Sequence, residues 1–276
     1  MFDWLHRTKK EPILQEKQEH KKEKDFTNFS LVAKYLYDKS GITELDKRHL
    51  VASRLQSYAQ KLDIYTTNEF LDRLKNDSQF YQEVLNIVTV NETFFLREIK
   101  ELEWLIEYIK KANGIVKILS LPCSSGEEIY SILLLMQEHS ISLDKVEITG
   151  YDINTYALSL AKKGIFDEHS LHKIEKTTCD KYFIPLENNT FQLNKIFCNR
   201  IHLQQRNIFE IREKNCFDII LSRNMFIYFD AQKREEATKV IIDLLVDGGI
   251  YIKGHADQIY KDPRLKNLHF GIYSKE

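Results

Sequence analysis

The sequence predicts an α/β protein in which a small all-helical domain precedes a Rossmann-like, doubly wound domain with an antiparallel β insertion. From residue 115 onwards, apolar runs of strand length alternate with segments of helical periodicity, a pattern typical of a parallel sheet. Residues 26–90 show helical spacing only. Between residues 164 and 206 the alternation stops, and short β-rich runs flank a turn-prone stretch.

The composition is that of a soluble globular protein, with 43% hydrophobic and 29% charged residues in a chain of 276. Forty basic and 41 acidic residues nearly cancel, so nothing in the overall charge predicts a nucleic-acid partner. The four cysteines lie far apart and form no Cys-x-x-Cys pair, so neither a disulfide framework nor a metal site is predicted. Without a membrane-length apolar stretch or a signal-peptide pattern, we expect a cytoplasmic protein that does not insert into a membrane.

The first 90 residues contain a tail and a helical domain. Residues 1–25 include a charged run with almost nothing to bury, so we expect a disordered tail or a solvated helix. About four helices follow in residues 26–90. In the second, expected from about Leu45 to Leu62, the basic residues Lys47, Arg54 and Lys61 recur every seven residues opposite an apolar stripe. Spacing alone favours a solvated surface for this basic stripe.

The segment from Asn91 to Glu98, hereafter the Arg97 segment, opens a linker and helix that extend to residue 114. Its polar residues Asn91, Thr93 and Arg97 alternate with apolar ones, so it can pack while offering hydrogen-bonding groups. It is either an ordinary helix junction or a ligand-facing segment, and the residues leave both open.

A strand, a tight loop and a helix then form the centre of the second domain, residues 115–276. The loop residues Ser124, Ser125 and Gly126 are small enough for a ligand to approach the backbone. A single glycine, followed by two acids that would repel a phosphate, argues against a dinucleotide. A cationic nucleoside without phosphates fits better, which predicts a methyltransferase domain that binds S-adenosylmethionine.

Polar residues at the ends of later strands should meet this loop. Asp152 ends the next strand, 26 residues after Gly126, where such folds place a ribose-binding acid; the alternative is a helix cap. Arg223 and Asn224 follow a buried strand and should face the same crevice. Tyr228 is either a core aromatic or a group at the reacting centre. His255 is either a base or, more commonly, a structural histidine.

These features occur together in one known family. The resemblance to this family rests on the following residues: Asn91-Glu92-Thr93, Arg97-Glu98, Ser124-Ser125-Gly126-Glu127-Glu128, Tyr130-Ser131, Tyr151-Asp152-Ile153, Asn207, Ser222-Arg223-Asn224, Ile227-Tyr228-Phe229-Asp230 and Gly254-His255. From about Asp25 to Tyr273 the chain resembles the CheR family, the bacterial chemotaxis-receptor methyltransferases. Members transfer methyl from S-adenosylmethionine to receptor glutamates, which gives glutamate methyl esters.

The resemblance implies roles for individual residues. The cofactor-contacting positions would be Asn91, Thr93, Arg97, Glu127, Asp152, Asn207, Ile208, Arg223 and Asn224. Arg97 and Tyr228 would orient the reacting groups, and Glu128 would only support the loop. The basic stripe of Lys47, Arg54 and Lys61 would meet the acidic cytoplasmic helical domain of a receptor.

Some positions depart from the family pattern. Ile129 stands where the family usually has a proline, and Leu96 stands where an aromatic residue is common. Ala256-Asp257 occupies the place of the usual Ser-Glu. We expect all of these to be mild changes. The loop of residues 186–190 lacks the glycines of members that bind a receptor's C-terminal pentapeptide, so we expect independence from that tether. Two alternatives stay open: a methyltransferase with another substrate, and a non-catalytic receptor partner or sensor.

Overall fold

A computed structural model describes residues 29–42 and 49–276 of the chain. The described helices of the first domain are α1 (Ser30–Ser40), α2 (His49–Lys61), α3 (Thr67–Asn76) and α4 (Ser78–Val88). Their apolar faces meet in one core around Leu36, Leu55 and Phe70, because a helix buries its apolar stripe against its neighbours. The charged tail and Lys47 lie outside the described residues.

The second domain alternates strands and helices as predicted. Its strands are β1 (Val116–Ser120), β2 (Val146–Asp152), β3 (Ile165–Asp167), β4 (Phe183–Pro185), β5 (Thr190–Leu193), β6 (Ile201–Gln205), β7 (Phe217–Ser222), β8 (Leu245–Lys253), β9 (Leu265–His269) and β10 (Ile272–Lys275). Its helices are α5 (Ile99–Lys111), α6 (Glu127–Glu138), α7 (Thr155–Lys163), α8 (Glu168–Leu171), α9 (Lys176–Tyr182), α10 (Lys195–Cys198) and α11 (Ala231–Leu244).

Seven strands form the main sheet in the order β6-β2-β1-β7-β8-β10-β9. The first five run parallel; β10 pairs antiparallel with β8, and β9 pairs antiparallel with β10. This confirms the predicted doubly wound domain. The strand order reverses at β1, which lies between β2 and β7. In such sheets a ligand binds at the reversal point, beyond the carboxyl ends of the strands.

The insertion carries a separate three-stranded antiparallel sheet in the order β3-β5-β4. The β4–β5 pair is the hairpin expected around the Asn188-Asn189 turn. We expected the insertion to reach residue 206, but β6 pairs in parallel with β2 at the edge of the main sheet. The apolar residues Ile201 and Leu203 alternate with His202 and predict a strand without indicating its partner, because pairing depends on contacts distant in sequence.

The helical domain is docked on the carboxyl end of the main sheet by specific hydrogen bonds. Gln82 in α4 donates to the Ile153 carbonyl over 2.9 Å, and the Asn154 amide donates to the Thr89 hydroxyl over 2.6 Å. After β6, at the edge of the main sheet, Asn207 donates to the Lys39 carbonyl at the end of α1 over 2.8 Å. None of the described helices has the length and apolar character to span a membrane.

Candidate functional site

A cavity lies at the reversal point of the sheet, and both domains contribute to its wall. It is lined by the predicted residues Asn91, Thr93, Arg97, Asp152, Asn207, Ile208, Arg223, Asn224 and Tyr228. Apolar side chains cover another part of the wall, among them Leu121, Ile153 and Met225. The helical domain closes one side with Ser40, Ile42 and Val88. The Arg97 segment therefore faces this cavity, with Asn91, Thr93 and Arg97 in its wall.

Asp152 anchors the loop between β1 and α6 through hydrogen bonds to the backbone. Its carboxylate is 4% exposed and accepts the backbone N–H of Ser124 and of Asn154, each over 2.8 Å. Asn154, and not Asp152, caps α7 by accepting the Ala157 N–H. Burial raises the pKa of Asp152 to about 6, although these N–H groups oppose the shift. A carboxylate offers about four lone-pair sites, so Asp152 keeps acceptor capacity for a ligand hydroxyl.

The loop adopts a conformation that requires its glycine. Gly126 has φ 94°, and a Cβ at this position would lie 2.9 Å from the Tyr130 ring. Ser124 also has a left-handed φ, of 48°. The Ser124 hydroxyl oxygen is buried and has no hydrogen-bond partner within the described part of the chain. Ser124 also lines the cavity.

The structure corrects the assignment of the two adjacent acids. Glu127 is 2% exposed and does not line the cavity; its carboxylate accepts the hydroxyls of Ser125 and Ser170. Glu128 lines the cavity and accepts the Ser120 hydroxyl over 2.8 Å. The sequence offered no signal for this choice, because α6 is buried almost all round and its apolar periodicity does not define a single face.

Arg223 joins three parts of the site. Its guanidinium is buried and contacts the Glu128 carboxylate over 2.8 Å and the Glu98 carboxylate over 3.3 Å. It also donates to the Arg97 carbonyl. A guanidinium presents its donors in a fixed fork, which suits simultaneous contacts of this kind. Arg223 therefore lines the cavity as predicted, but its side chain clamps the Arg97 segment to α6.

The backbone on both sides of Arg97 is strained. Leu96 and Glu98 have φ values of 59° and 49°, a region that residues other than glycine seldom adopt. The Leu96 N–H donates to the Ser131 hydroxyl over 2.9 Å, and Arg223 holds the Arg97 carbonyl and Glu98. Strain of this kind persists only where surrounding contacts maintain it. The Arg97 guanidinium donates to the Glu92 carbonyl over 2.8 Å and lies over the Phe94 ring.

Asp257 has a larger role than the mild departure expected from sequence. Its buried carboxylate accepts the backbone N–H groups of Asn224, Phe226 and Gly254. These contacts shape the turn after β7 that brings Asn224 and Tyr228 to the cavity. Gly254 has to be glycine, since a Cβ there would lie 2.6 Å from the Asp257 carboxylate.

His255 is placed as a structural histidine. Its Nε2 lies 2.7 Å from the buried carboxylate of Glu101, its ring contacts Phe270, and it does not line the cavity. Glu98, Glu101 and His255 are the group of possible metal ligands found among the described residues. Glu98 is paired with Arg223, and Glu101 is paired with His255.

The two described residues of the predicted basic stripe, Arg54 and Lys61, do not line the cavity. Arg54 and Lys61 line a separate shallow groove between α2, α4 and α7, together with Ser57, Tyr58 and Tyr156. Helix α4 contributes Glu83 and Asn86 to this groove, while Val88 at its end lines the cavity. Helix α4 therefore contributes residues to both sites.

The polar and apolar groups of the cavity fit S-adenosylmethionine. The Asp152 carboxylate can accept hydroxyl groups, and Glu128 places a second carboxylate at the wall of the cavity. Of the lining arginines, Arg206 and Arg223 are paired with carboxylates, whereas Arg97 donates to the Glu92 carbonyl. The apolar part of the wall suits a base, which sites of this kind typically hold between apolar side chains.

Comparison with known proteins agrees with this geometry. Residues 27–89 match the CheR methyltransferase all-alpha domain, and residues 91–271 match the CheR methyltransferase SAM binding domain. A chemotaxis protein methyltransferase of Campylobacter jejuni is 34% identical over 244 residues, which cover 87% of this chain and 92% of the relative.

More distant relatives carry similar names. Chemotaxis protein methyltransferase 2 of Vibrio cholerae is 33% identical over 84% of this chain and 86% of its own length. The chemotaxis protein methyltransferase of Borreliella burgdorferi is 28% identical over 89% of this chain and 93% of its own length. Together with the family match across both domains, these similarities show that the chain belongs to the CheR family of S-adenosylmethionine-dependent methyltransferases.

Proposed function

We propose that this protein transfers methyl groups to glutamate side chains in the cytoplasmic helical domain of chemotaxis receptors. The observation that carries the proposal is the Arg97 segment, whose strained backbone places Arg97 at the wall of the cavity that Tyr228 also lines. A cation held in this way can receive a carboxylate substrate. The names of the similar proteins support chemotaxis as the setting.

In this proposal the cavity residues hold the cofactor by complementary chemistry. Asp152 accepts ribose hydroxyls, while Glu128, in place of Glu127, faces the cationic end. The Ser124 hydroxyl supplies a further polar contact. The remaining predicted contacts, from Asn91, Thr93, Asn207, Ile208 and Asn224, line the same cavity. When bound, S-adenosylmethionine supplies a methyl group on a positively charged sulfur.

The reaction needs alignment more than acid–base chemistry. A glutamate has an unperturbed pKa of about 4.3 and is already a nucleophile at neutral pH. Positioning can supply about 7–11 kcal/mol of the barrier. Arg97 and Tyr228 would orient the substrate carboxylate. His255 is not required as a base, which agrees with its contact to Glu101.

The test uses labelled S-adenosylmethionine and membranes from the host cell. We expect a base-labile methyl label on a receptor band, and we expect Arg97→Ala to lower kcat about tenfold to 100-fold because the carboxylate loses its orienting cation. Arg97→Lys is the matched control, because it keeps the positive charge without the planar guanidinium. Its kcat should lie between those of the wild type and Arg97→Ala.

Each other outcome points to a different function. Full activity of a folded Arg97→Ala protein would contradict the role of Arg97. Cofactor binding without any methyl transfer would favour a receptor partner or sensor. Label on a small molecule or nucleic acid would favour a methyltransferase with another substrate.

We further propose that the groove lined by Arg54 and Lys61 contacts the acidic receptor helix. Arg54→Glu with Lys61→Glu is expected to raise the KM for receptor about tenfold, while cofactor affinity stays unchanged. The increase should shrink at high salt, because exposed charges are screened. Lys111→Glu, an exposed charge reversal at the end of α5, is the matched control. An unchanged KM in the double variant would rule out this contact surface.

Independence from a receptor's C-terminal pentapeptide stays a prediction. The β4–β5 turn uses Asn188 and Asn189 at φ 56° and 54°. This turn needs no glycine, since asparagine tolerates left-handed conformations.

A further inference from the structure

Glu127 makes an unusual set of contacts for a residue at the start of a cofactor-site helix. Its carboxylate accepts the Ser125 hydroxyl over 2.7 Å from the loop and the Ser170 hydroxyl over 3.1 Å from α8 of the insertion. No ion pair of Glu127 occurs among the described residues, so serine hydroxyls are its side-chain partners. A single buried carboxylate thus connects the cofactor loop to the insertion.

The contact at Ser170 continues to the Arg97 segment. The Ser170 carbonyl accepts the Phe95 N–H over 2.9 Å, two residues before Arg97. The carbonyl of Glu127 accepts the Ser131 hydroxyl over 2.6 Å, and that hydroxyl accepts the N–H of Leu96. The Phe95 amide is therefore held through Ser170, which contacts the Glu127 carboxylate, and the Leu96 amide is held through Ser131, which contacts the Glu127 backbone carbonyl.

Aromatic packing joins the same elements. The Phe95 ring is fully buried and contacts Phe166 in β3 and Phe183 in β4, with ring centroids 4.8 and 5.4 Å apart. Tyr130 of α6 packs on Phe166 from the other side. The Arg97 segment thus packs on the insertion sheet through Phe95.

We infer that Glu127 is a positioning residue that couples the insertion to Arg97, and not a cofactor contact. The inference deepens the proposed function and depends on it only for the rate measurement. Glu127 and Ser170 keep the Phe95 amide in place, and the clamp from Arg223 holds the other side of Arg97. The strained backbone between them then keeps the guanidinium at the cavity.

The experiment compares Glu127→Ala, Glu127→Gln and Ser170→Ala with Ser159→Ala, a control serine whose hydroxyl bonds only within α7. Binding of S-adenosylhomocysteine, kcat and amide hydrogen exchange of residues 91–98 are measured. Glu127→Ala should lower kcat about tenfold to 100-fold, because small misplacements of reacting groups have effects of this size. The fold-change in the Kd for S-adenosylhomocysteine should be at least ten times smaller than the fold-change in kcat.

The other variants separate positioning from simple packing. Ser170→Ala should lower kcat by about threefold to tenfold, in line with one lost hydrogen bond, without a change in Kd. Combining it with Glu127→Ala should add nothing, because both act through the same contact. Glu127→Gln keeps an acceptor oxygen and should restore kcat to within about threefold of wild type. Exchange at residues 91–98 should rise in Glu127→Ala and Ser170→Ala but not in Ser159→Ala.

Two results would overturn the inference. A tenfold weaker cofactor affinity in Glu127→Gln with kcat unchanged would make Glu127 a cofactor contact. Unchanged kcat and unchanged amide hydrogen exchange of residues 91–98 in Ser170→Ala would show that the insertion is not coupled to Arg97. If Glu127→Ala does not fold, Glu127→Gln and Ser170→Ala still decide. If no receptor is methylated, the proposed function fails, while the exchange measurement tests the coupling independently.

Discussion

Arg223→Ala is expected to lower the free energy of unfolding by about 3–5 kcal/mol and to abolish cofactor binding. The variant leaves the carboxylates of Glu98 and Glu128 close together, largely buried and without their cation. It also releases the Arg97 carbonyl. Urea unfolding and calorimetry with S-adenosylhomocysteine measure the two effects.

Two variants control for this result. Arg223→Lys keeps the charge, but an ammonium cannot reach all three acceptors as a guanidinium does, so an intermediate loss is expected. The triple variant Glu98→Gln, Glu128→Gln and Arg223→Met removes all the charges and should recover much of the stability, because no unpaired charge stays buried. Arg223→Ala within about 1 kcal/mol of wild type would show that the ion pairs contribute little.

Cofactor affinity is expected to fall at acidic pH through Asp152. Burial raises the pKa of this carboxyl to about 6 in the free protein. Ribose hydroxyls donate to the charged form of Asp152, so cofactor binding lowers its pKa. Affinity is therefore complete above the pKa of the free protein and is lost as the pH falls below it. At pH 5 the Kd for S-adenosylhomocysteine should be about tenfold higher than at pH 7.5, as expected one unit below the pKa.

Asp152→Asn tests the assignment. The amide cannot titrate, so the pH dependence between pH 5 and 7.5 should disappear. Affinity should be about 100-fold lower at pH 7.5, because hydrogen bonds to a charged acceptor are lost. No histidine lines the cavity in the described part of the chain, so a histidine does not supply an alternative titration there. A pH dependence that persists in Asp152→Asn would assign the titration to another group.

Several parts of the site could be predicted because they follow from local chemistry. Asp152, Arg223 and Asn224 come directly after buried strands, and the carboxyl ends of parallel strands meet at one edge of a sheet. The β4–β5 hairpin followed from turn-prone residues between two β-rich runs. Family resemblance then added Asn91, Thr93, Arg97 and Tyr228, all of which line the cavity.

Other features depend on contacts that sequence spacing does not encode. Glu127 and Glu128 are neighbours of the same type, and their roles differ only because Ser170 meets one and Arg223 meets the other. The second partner of Arg223, Glu98, lies 125 residues earlier in the chain. Likewise Asp257 became an organiser of the turn after β7 only through backbone groups that folding brings to it.

The sequence by itself determined the two-domain α/β architecture, the strand–loop–helix centre and the chemistry of an acid-rich nucleoside site. Periodicity and residue type carry these properties, because they reflect local propensity and burial. Only the tertiary structure decided that β6 joins the main sheet, which acid faces the cavity, and that Arg223 clamps the Arg97 segment. Each of these depends on the partner that a polar group or strand edge finds across the fold, since the energy of a buried pair is set by its surroundings.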